Sequence, residues 1–203
     1  VTGTEPPPLR VETMTSRQLV RRARLIEAVT EIVQEVGPQN LQMREVAERS
    51  GVALGTAYRY FRSREHLMAA AFAEWQERLT RRMLGRAAAD EDPAVLAADY
   101  FRRALRAFHR SPRMAELMMQ LLASTDPDVI RVLDRMGSSS EAVLGRLLAT
   151  VPPEQAPYVQ ITLDSVLTTC VANLVTGRSG LDEAVRRMEG VTRLVLGNAG
   201  AAG

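Results

Sequence analysis

The sequence predicts an all-α protein, and three observations predict it. Apolar residues recur at the three- and four-residue spacing of a helix stripe in several long segments. Proline opens many of these segments, and glycine closes others. No segment reads convincingly as a strand.

The first segment, 16–36, places Leu25, Val29, Ile32, Val33 and Val36 on one stripe, and Gly37-Pro38 stops it. A short helix over 42–49 follows, with Val46 and Ala47 facing inward, and Ser50-Gly51 breaks it. A second short helix fits 53–60. Ser63 then suits an N-cap, because its hydroxyl can accept from a free amide two or three residues on, and Glu65 complements the helix dipole. That opens a long helix to residue 84.

Asp90-Glu91-Asp92-Pro93 marks the next boundary, and Asp90-Glu91-Asp92 reads as a solvated loop. Pro93 takes the first helical position of a helix to 109. Ser111-Pro112 starts another, to 123. Thr125-Asp126-Pro127 starts a third, to 149, with Gly137-Ser138-Ser139-Ser140 as a candidate break. Pro152-Pro153 and Pro157 precede a segment to 176 that is rich in β-branched residues, among them Val159, Ile161, Thr162, Val166, Thr168 and Thr169. That composition favours strand. A strand of roughly 20 residues exceeds the usual limit of about 10, so length makes it a buried helix. Gly177-Arg178-Ser179-Gly180 turns the chain into a last helix over 181–196, closed by Gly197.

Composition narrows the function. The chain has 203 residues and a net charge of only +2, so it is not broadly basic. The sign is uneven: residues 1–86 carry 14 Arg against 10 Asp and Glu. Every basic residue is arginine, whose fork suits phosphate and base edges, although genome composition explains the bias more simply. The single Cys170 excludes a disulfide framework and fits a reducing cytoplasm. No run approaches 18 apolar residues, so no membrane span is expected. The N-terminal VTGTEPPPLRVETM lacks the apolar region of a secretory signal. Residues 1–14 and 198–203 read as disordered arms. His66 and His109 have no Ser, Cys or Asp spaced as a triad, and no Cys/His metal cluster or Gly-rich phosphate loop exists. No enzyme activity and no cofactor are expected.

The stretch SGVALGTAYRYFRSREHL is the informative one. Two short helices joined by a tight glycine turn make a helix-turn-helix, whose second helix enters the major groove. Gly55 removes a side chain, so backbone can approach DNA. Thr56 offers a hydroxyl and a methyl to base edge, phosphate or thymine. Alone, Tyr58 and Tyr60 would read as half-buried helix aromatics. Beside Gly55-Thr56 and the turn they read as phenols straddling the helix, each toward a phosphate. Arg64, at the next helix's N-terminus, is a further phosphate candidate. Phe61 reads as core. The arginine run that contains Arg21 and Arg22 reads equally as a solvated face or a phosphate-contacting arm.

GVALGTAYRYFRSREHL resembles the TetR family of bacterial transcriptional regulators. Their pattern, Gly-Val-x-x-Gly-Thr-Leu-Tyr-x-Tyr-Phe-x-Ser-Lys-Glu-x-Leu, matches at Gly51, Val52, Gly55, Thr56, Tyr58, Tyr60, Phe61, Ser63, Glu65 and Leu67. It departs at Ala57, where leucine is usual, and at Arg64, where lysine is usual. The alanine is expected to thin the core beneath the motif. The resemblance covers about 16–67 and implies a DNA contact for Arg44. The block QMREVAERSGVALGTAYRYF and the overall layout resemble, more weakly, the actinobacterial steroid-catabolism repressors within the family.

The resemblance implies a DNA-binding domain at 15–62 and a ligand-binding and dimerisation domain at 63–197. The last two long helices would form a homodimer. Candidate lining residues for a hydrophobic small-molecule effector are Trp75, Phe101, Leu105, Phe108, Met114, Met118, Leu122, Val143, Leu147, Val166 and Cys170. Met114, Met118 and Leu122 fall at i, i+4, i+8, and methionine adapts to an apolar ligand. Residue by residue, each reads as well as ordinary bundle core. The expected function is a homodimeric repressor released from a palindromic double-stranded DNA operator by an inducer. The alternatives are an all-helical small-molecule-binding protein or enzyme, and a ligand-independent DNA-binding protein.

Overall fold

The computed structural model describes residues 11–84, 92–139, 145 and 147–199; among them are nine α-helices and no strand. They are α1 (Ser16–Val36), α2 (Met43–Ser50), α3 (Leu54–Tyr60), α4 (Arg64–Leu84), α5 (Pro93–Arg110), α6 (Pro112–Leu122), α7 (Pro127–Ser139), α8 (Ala156–Val175) and α9 (Leu181–Ala199). Most of the expected N-terminal arm, the acidic pair Asp90-Glu91, Val143 and the end of the C-terminal tail lie outside the described residues. Within the arm, Val11–Thr13 forms a single 3-10 turn.

The chain divides into two compact units: Val1–Trp75 with Glu116–Asp134, and Gln76–Ala115 with Arg135–Gly203.

In the first unit, α1, α2 and α3 pack on one another. Thr15 and Gln18 form a reciprocal capping box that satisfies two backbone amides at the start of α1. Leu25, Ile26, Ala28, Val29, Ile32 and Val33 are its buried face. Each fully buried Leu, Ile or Val contributes about 1.5–3 kcal/mol, against the entropy of ordering the chain. Val36, expected on that stripe, is 39% exposed because the helix ends there and its neighbours end with it. Gly51 stops α2 at φ 66°, a left-handed cap that a side chain would strain. α4 has a continuous buried run from His66 to Phe72. Leu117, Leu121, Val129 and Val132 add the buried apolar residues of the α6–α7 segment.

In the second unit, α5, α8 and α9 pack together. Asp92 caps α5 by accepting from the Ala94 amide at 2.8 Å, with Pro93 at the first helical position. α9 turns Ala184, Met188, Thr192 and Leu196 inward at four-residue spacing. The buried Thr192 hydroxyl is satisfied by donating to the Met188 carbonyl at 2.8 Å. Arg102 of α5 pairs with Glu189 of α9 at 2.6 Å. The β-branched segment is the helix α8, as length required, but it is not the buried helix expected, since most of its residues are exposed or half-buried. Thr162 and Thr176 donate to carbonyls four residues back, at 2.7 and 2.8 Å, which suits their hydroxyls to a helix. Only Val159, Leu163, Cys170 and Val171 of α8 are buried. By length and apolar composition α8 meets the measure of a membrane-crossing helix, contrary to the expectation of no span, and 22% of its apolar stretch is buried.

Candidate nucleic-acid interface

The motif is built on a small core. Ala57 is 0% exposed, and Tyr60 and Phe61 are 4% and 2% exposed. The Ser50 hydroxyl accepts from the Val52 amide at 3.3 Å and holds the turn between α2 and α3. Burying Ala57 and Tyr60, three residues apart, turns the opposite face of α3 outward. That face carries Gly55, Tyr58 and Arg59, all exposed, with Thr56 half-buried at its edge.

Gly55 is the telling position. A Cβ built there meets no heavy atom within 4 Å, so the protein's own packing does not require glycine. Glycine inside a helix costs about 0.5–1 kcal/mol relative to alanine. No packing contact requires glycine there, and its missing side chain leaves the surface of α3 open at that point. Arg44, at the start of α2, and Arg21, on α1, are exposed and form no hydrogen bond or ion pair among the described residues. Arg59, not among the site residues expected from the sequence, lies four residues from Gly55 and three from Thr56 and is exposed on the same face.

Three residues expected at DNA are buried or engaged within the protein. Tyr60 does not straddle α3 with Tyr58. Tyr58 is 44% exposed and Tyr60 is 4%, because an i, i+2 pair lies on different helix faces and one face is core. Arg64 is engaged by the protein itself: its guanidinium donates to Glu65 Oε1 at 3.0 Å and to the Gln39 and Leu41 carbonyls at 3.3 Å each. Its fork matches the unpaired carbonyls of the α1–α2 connection. Arg22 lies over the Phe61 ring, 5.5 Å from its centroid, and so helps to pack α1 on the motif.

The turn that follows α3 is firmly held. The Arg62 amide donates to His66 Nδ1 at 3.4 Å. The His66 amide donates to Ser63 Oγ at 2.9 Å, and the Ser63 hydroxyl donates to Asp126 Oδ2 at 2.7 Å. Burial works to raise the Asp126 carboxyl, but the Ser63 hydroxyl, the Asp128 and Val129 amides and nearby His66 outweigh it and hold the group below the usual aspartate range.

The candidate effector residues are distributed over both units. Trp75, Met118 and Leu122 belong to the first; Phe101, Leu105, Phe108, Met114, Leu147, Val166 and Cys170 belong to the second. Phe101, Leu105 and Phe108 share the buried face of α5. Trp75 is half-buried, stacked on Phe72 with ring centroids 5.9 Å apart. The expected stripe on α6 rotates out of the core: Met114 is 0% exposed and Leu122 is 53%. Each step of four residues overshoots a full turn by about 40°, so Met114, Leu117 and Leu121 form the buried line instead. Leu147 is buried. Val166 and Cys170 line a groove of about 450 Å³ between α8 and α9, with Thr169, Asn173, Arg187 and Gly190. Burial raises the Cys170 thiol, with Arg187 opposing, and the thiol donates to the Ala184 carbonyl at 3.7 Å. Among the described residues no group of three or more His, Cys, Asp or Glu is placed to hold a metal ion.

Comparison with known proteins matches residues 25–71 to the family model for bacterial regulatory proteins, tetR family. The chain is 31% identical over 183 residues to the HTH-type transcriptional repressor KstR of Rhodococcus jostii strain RHA1, a match covering 89% of this chain and 85% of that repressor. A TetR transcriptional regulator from Rhodococcus sp. RHA1 superposes with a TM-score of 0.75 and 27% identity, covering 91% of this chain and 99% of that one. The regulator FadR of Bacillus subtilis, solved in complex with stearoyl-CoA, shares the fold at a TM-score of 0.67 and 16% identity, covering 86% of this chain and 97% of that one.

Proposed function

The chain belongs to the TetR family of bacterial regulatory proteins and is a DNA-binding transcriptional repressor in type; from that premise we propose a homodimer that holds a palindromic operator and is released by a hydrophobic small-molecule inducer. In this reading α3 lies in the major groove. Gly55 lets backbone approach the bases, and Thr56 meets a base edge. Tyr58, Arg59, Arg44 and Arg21 contact phosphates, which set register. Tyr60, Arg22 and Arg64 hold the motif in shape. The observation that carries the reading is the exposed face of α3, with a glycine that the fold itself does not need.

The dimer would form through α8 and α9. Tyr158 and Ile161 of α8 and Leu194 of α9 are 73%, 64% and 64% exposed, an apolar surface suited to a second copy rather than to water. Gly190, midway along α9, has no neighbour within 4 Å of a built Cβ, which suits close approach of a partner helix. Two motifs on one two-fold axis imply a palindromic site. The inducer acts only through its differential affinity for the DNA-competent and released states. The buried apolar residues of the second unit, Phe101, Leu105, Phe108 and Leu147 among them, suit a hydrophobic one. A repressor of this kind works in the cytoplasm, where the DNA is, and needs no catalytic group.

Purified protein mixed with sheared DNA from its own genome tests the reading. Recovery of a few fragments that share a palindrome supports it. Recovery of nothing above background at low salt, with a dimer in solution, overturns it.

A further inference from the structure

Two helix caps in the first unit are joined through one proton. Ser63 precedes α4 and accepts the His66 amide at 2.9 Å, so its hydroxyl oxygen satisfies an amide of the first turn. Asp126 precedes α7 and does the same there: its Oδ1 accepts the Asp128 amide at 2.8 Å. The remaining carboxylate oxygen, Oδ2, accepts the Ser63 hydroxyl at 2.7 Å across 63 residues of sequence. Either cap would be complete without the other. The bond between them adds nothing to capping and instead fixes where the α3–α4 turn stands against the α6–α7 connection.

That turn is three residues long, Phe61 to Ser63, and each residue is held. Phe61 is buried and meets the His66 ring edge-on at 5.3 Å. The Arg62 amide donates to the same ring. Ser63 is held by Asp126. The direction of α3 relative to α4 therefore depends on a side chain distant in sequence from the motif. A hydrogen bond to an ionised acceptor is among the stronger ones available for such a task.

We propose that Asp126 is a positioning residue for DNA reading, which aims α3 by holding Ser63. This rests on the reading of α3 as the DNA-contacting helix. Asp126 itself touches no DNA. Its removal loosens the angle at which Gly55, Thr56 and Tyr58 meet the groove, so discrimination between operator and other sequence falls more than stability does.

The test uses the fact that serine and aspartate are both favoured N-caps. Ser63→Asp keeps a cap on α4 but sets two carboxylates against each other. Asp126→Ser keeps a cap on α7 and removes the ionised acceptor. The double variant Ser63→Asp, Asp126→Ser restores the bond with its direction reversed. Affinities of the full-length protein are measured for a genomic fragment selected by the wild type and for random DNA, alongside the thermal midpoint. The expected result is a loss of about tenfold or more in the ratio of specific to random affinity for Ser63→Asp, in line with a charge-assisted bond, with most of it recovered in the double variant. An unchanged ratio in Ser63→Asp, or a double variant that sums the two single losses, overturns the positioning role alone. Equal falls in specific affinity, random affinity and midpoint overturn it too, because a merely structural bond behaves in that way. Wild-type protein with no preference for any fragment overturns the DNA reading and this proposal with it.

Discussion

Arg49 of α2 donates a 2.6 Å hydrogen bond to Glu35 of α1, 14 residues earlier. The same guanidinium pairs with Glu45 at 3.1 Å and lies 4.0 Å from Glu31. It thus gathers carboxylates from α1 and α2. The bond from Arg49 lowers the Glu35 carboxyl below its ordinary 4.5, slight burial opposing it and the charge of Arg49 adding to it. A carboxyl depressed on folding stabilises the protein at pH above its unfolded value, and that stability is lost as pH falls through the folded value. Arg49→Met is therefore expected to lower the thermal midpoint modestly at pH 7 and to leave it nearly unchanged at pH 3. All of the pairs are partly exposed, so the difference at pH 7 is also expected to shrink in roughly 1 M salt, where the Debye length is about 3 Å. A difference that persists at pH 3 would show that Arg49 acts by packing.

Gly55→Ala separates fold from function. The added methyl meets nothing within 4 Å, so the midpoint is expected to stay level or rise, by up to about 1 kcal/mol of stability. In the proposed docking the methyl would stand where backbone approaches the bases, so DNA affinity is expected to fall about tenfold or more. If affinity holds while stability rises, Gly55 does not face DNA.

Tyr58→Phe and Thr56→Ala report different contacts. The first removes the hydroxyl proposed to meet a phosphate and is expected to weaken every DNA sequence by a similar factor, about fivefold for one bond of about 1 kcal/mol. The second is expected to flatten preference at one base-pair position. Binding arrays over single-base variants of the selected fragment distinguish them. The reverse pattern would exchange the two assignments.

Gly190→Leu tests the dimer. A Cβ at this position meets no heavy atom within 4 Å in the single chain, so helix content and midpoint at low concentration are expected to hold. Sedimentation velocity is expected to show monomer, with operator binding lost. A variant that stays dimeric would move the interface away from this part of α9. A protein that partitions into lipid vesicles instead of pairing would give the apolar surface of α8 a different cover.

Much of the fold is legible in the sequence because its signals are local. Gly37 and Gly51 end helices through backbone conformations favoured by glycine, at φ 85° and 66°. Pro93, Pro112 and Pro127 open helices because the missing N–H is unpaired in any first turn. The β-branched residues of α8 are helical because no strand runs that far. The outward face of α3 follows from helical period once Ala57 and Tyr60 are seen to be inside.

Periodicity names a face, but it does not name the neighbour on that face. Arg64 stands in the motif where its charge suggests phosphate, yet the carbonyls of Gln39 and Leu41 come from a loop more than twenty residues away, and only packing brings them within reach. Leu122 keeps the spacing of its stripe and still leaves the core, because small angular errors accumulate along α6. Asp126 reads in sequence as the acidic residue before a proline, a cap for its own helix. That it also holds Ser63 is a choice of tertiary structure, since the free oxygen of a capping carboxylate will take whichever donor the fold sets beside it. By itself the sequence determined the helices, most of their ends and the motif, because those depend on neighbours along the chain, although α9 runs through Gly197, the expected stop, to Ala199. The partners of Arg64, Arg22 and Asp126 were decided only in the folded state, because hydrogen bonds and ring contacts act over a few ångströms, and residues distant in sequence come that close only after the core has packed.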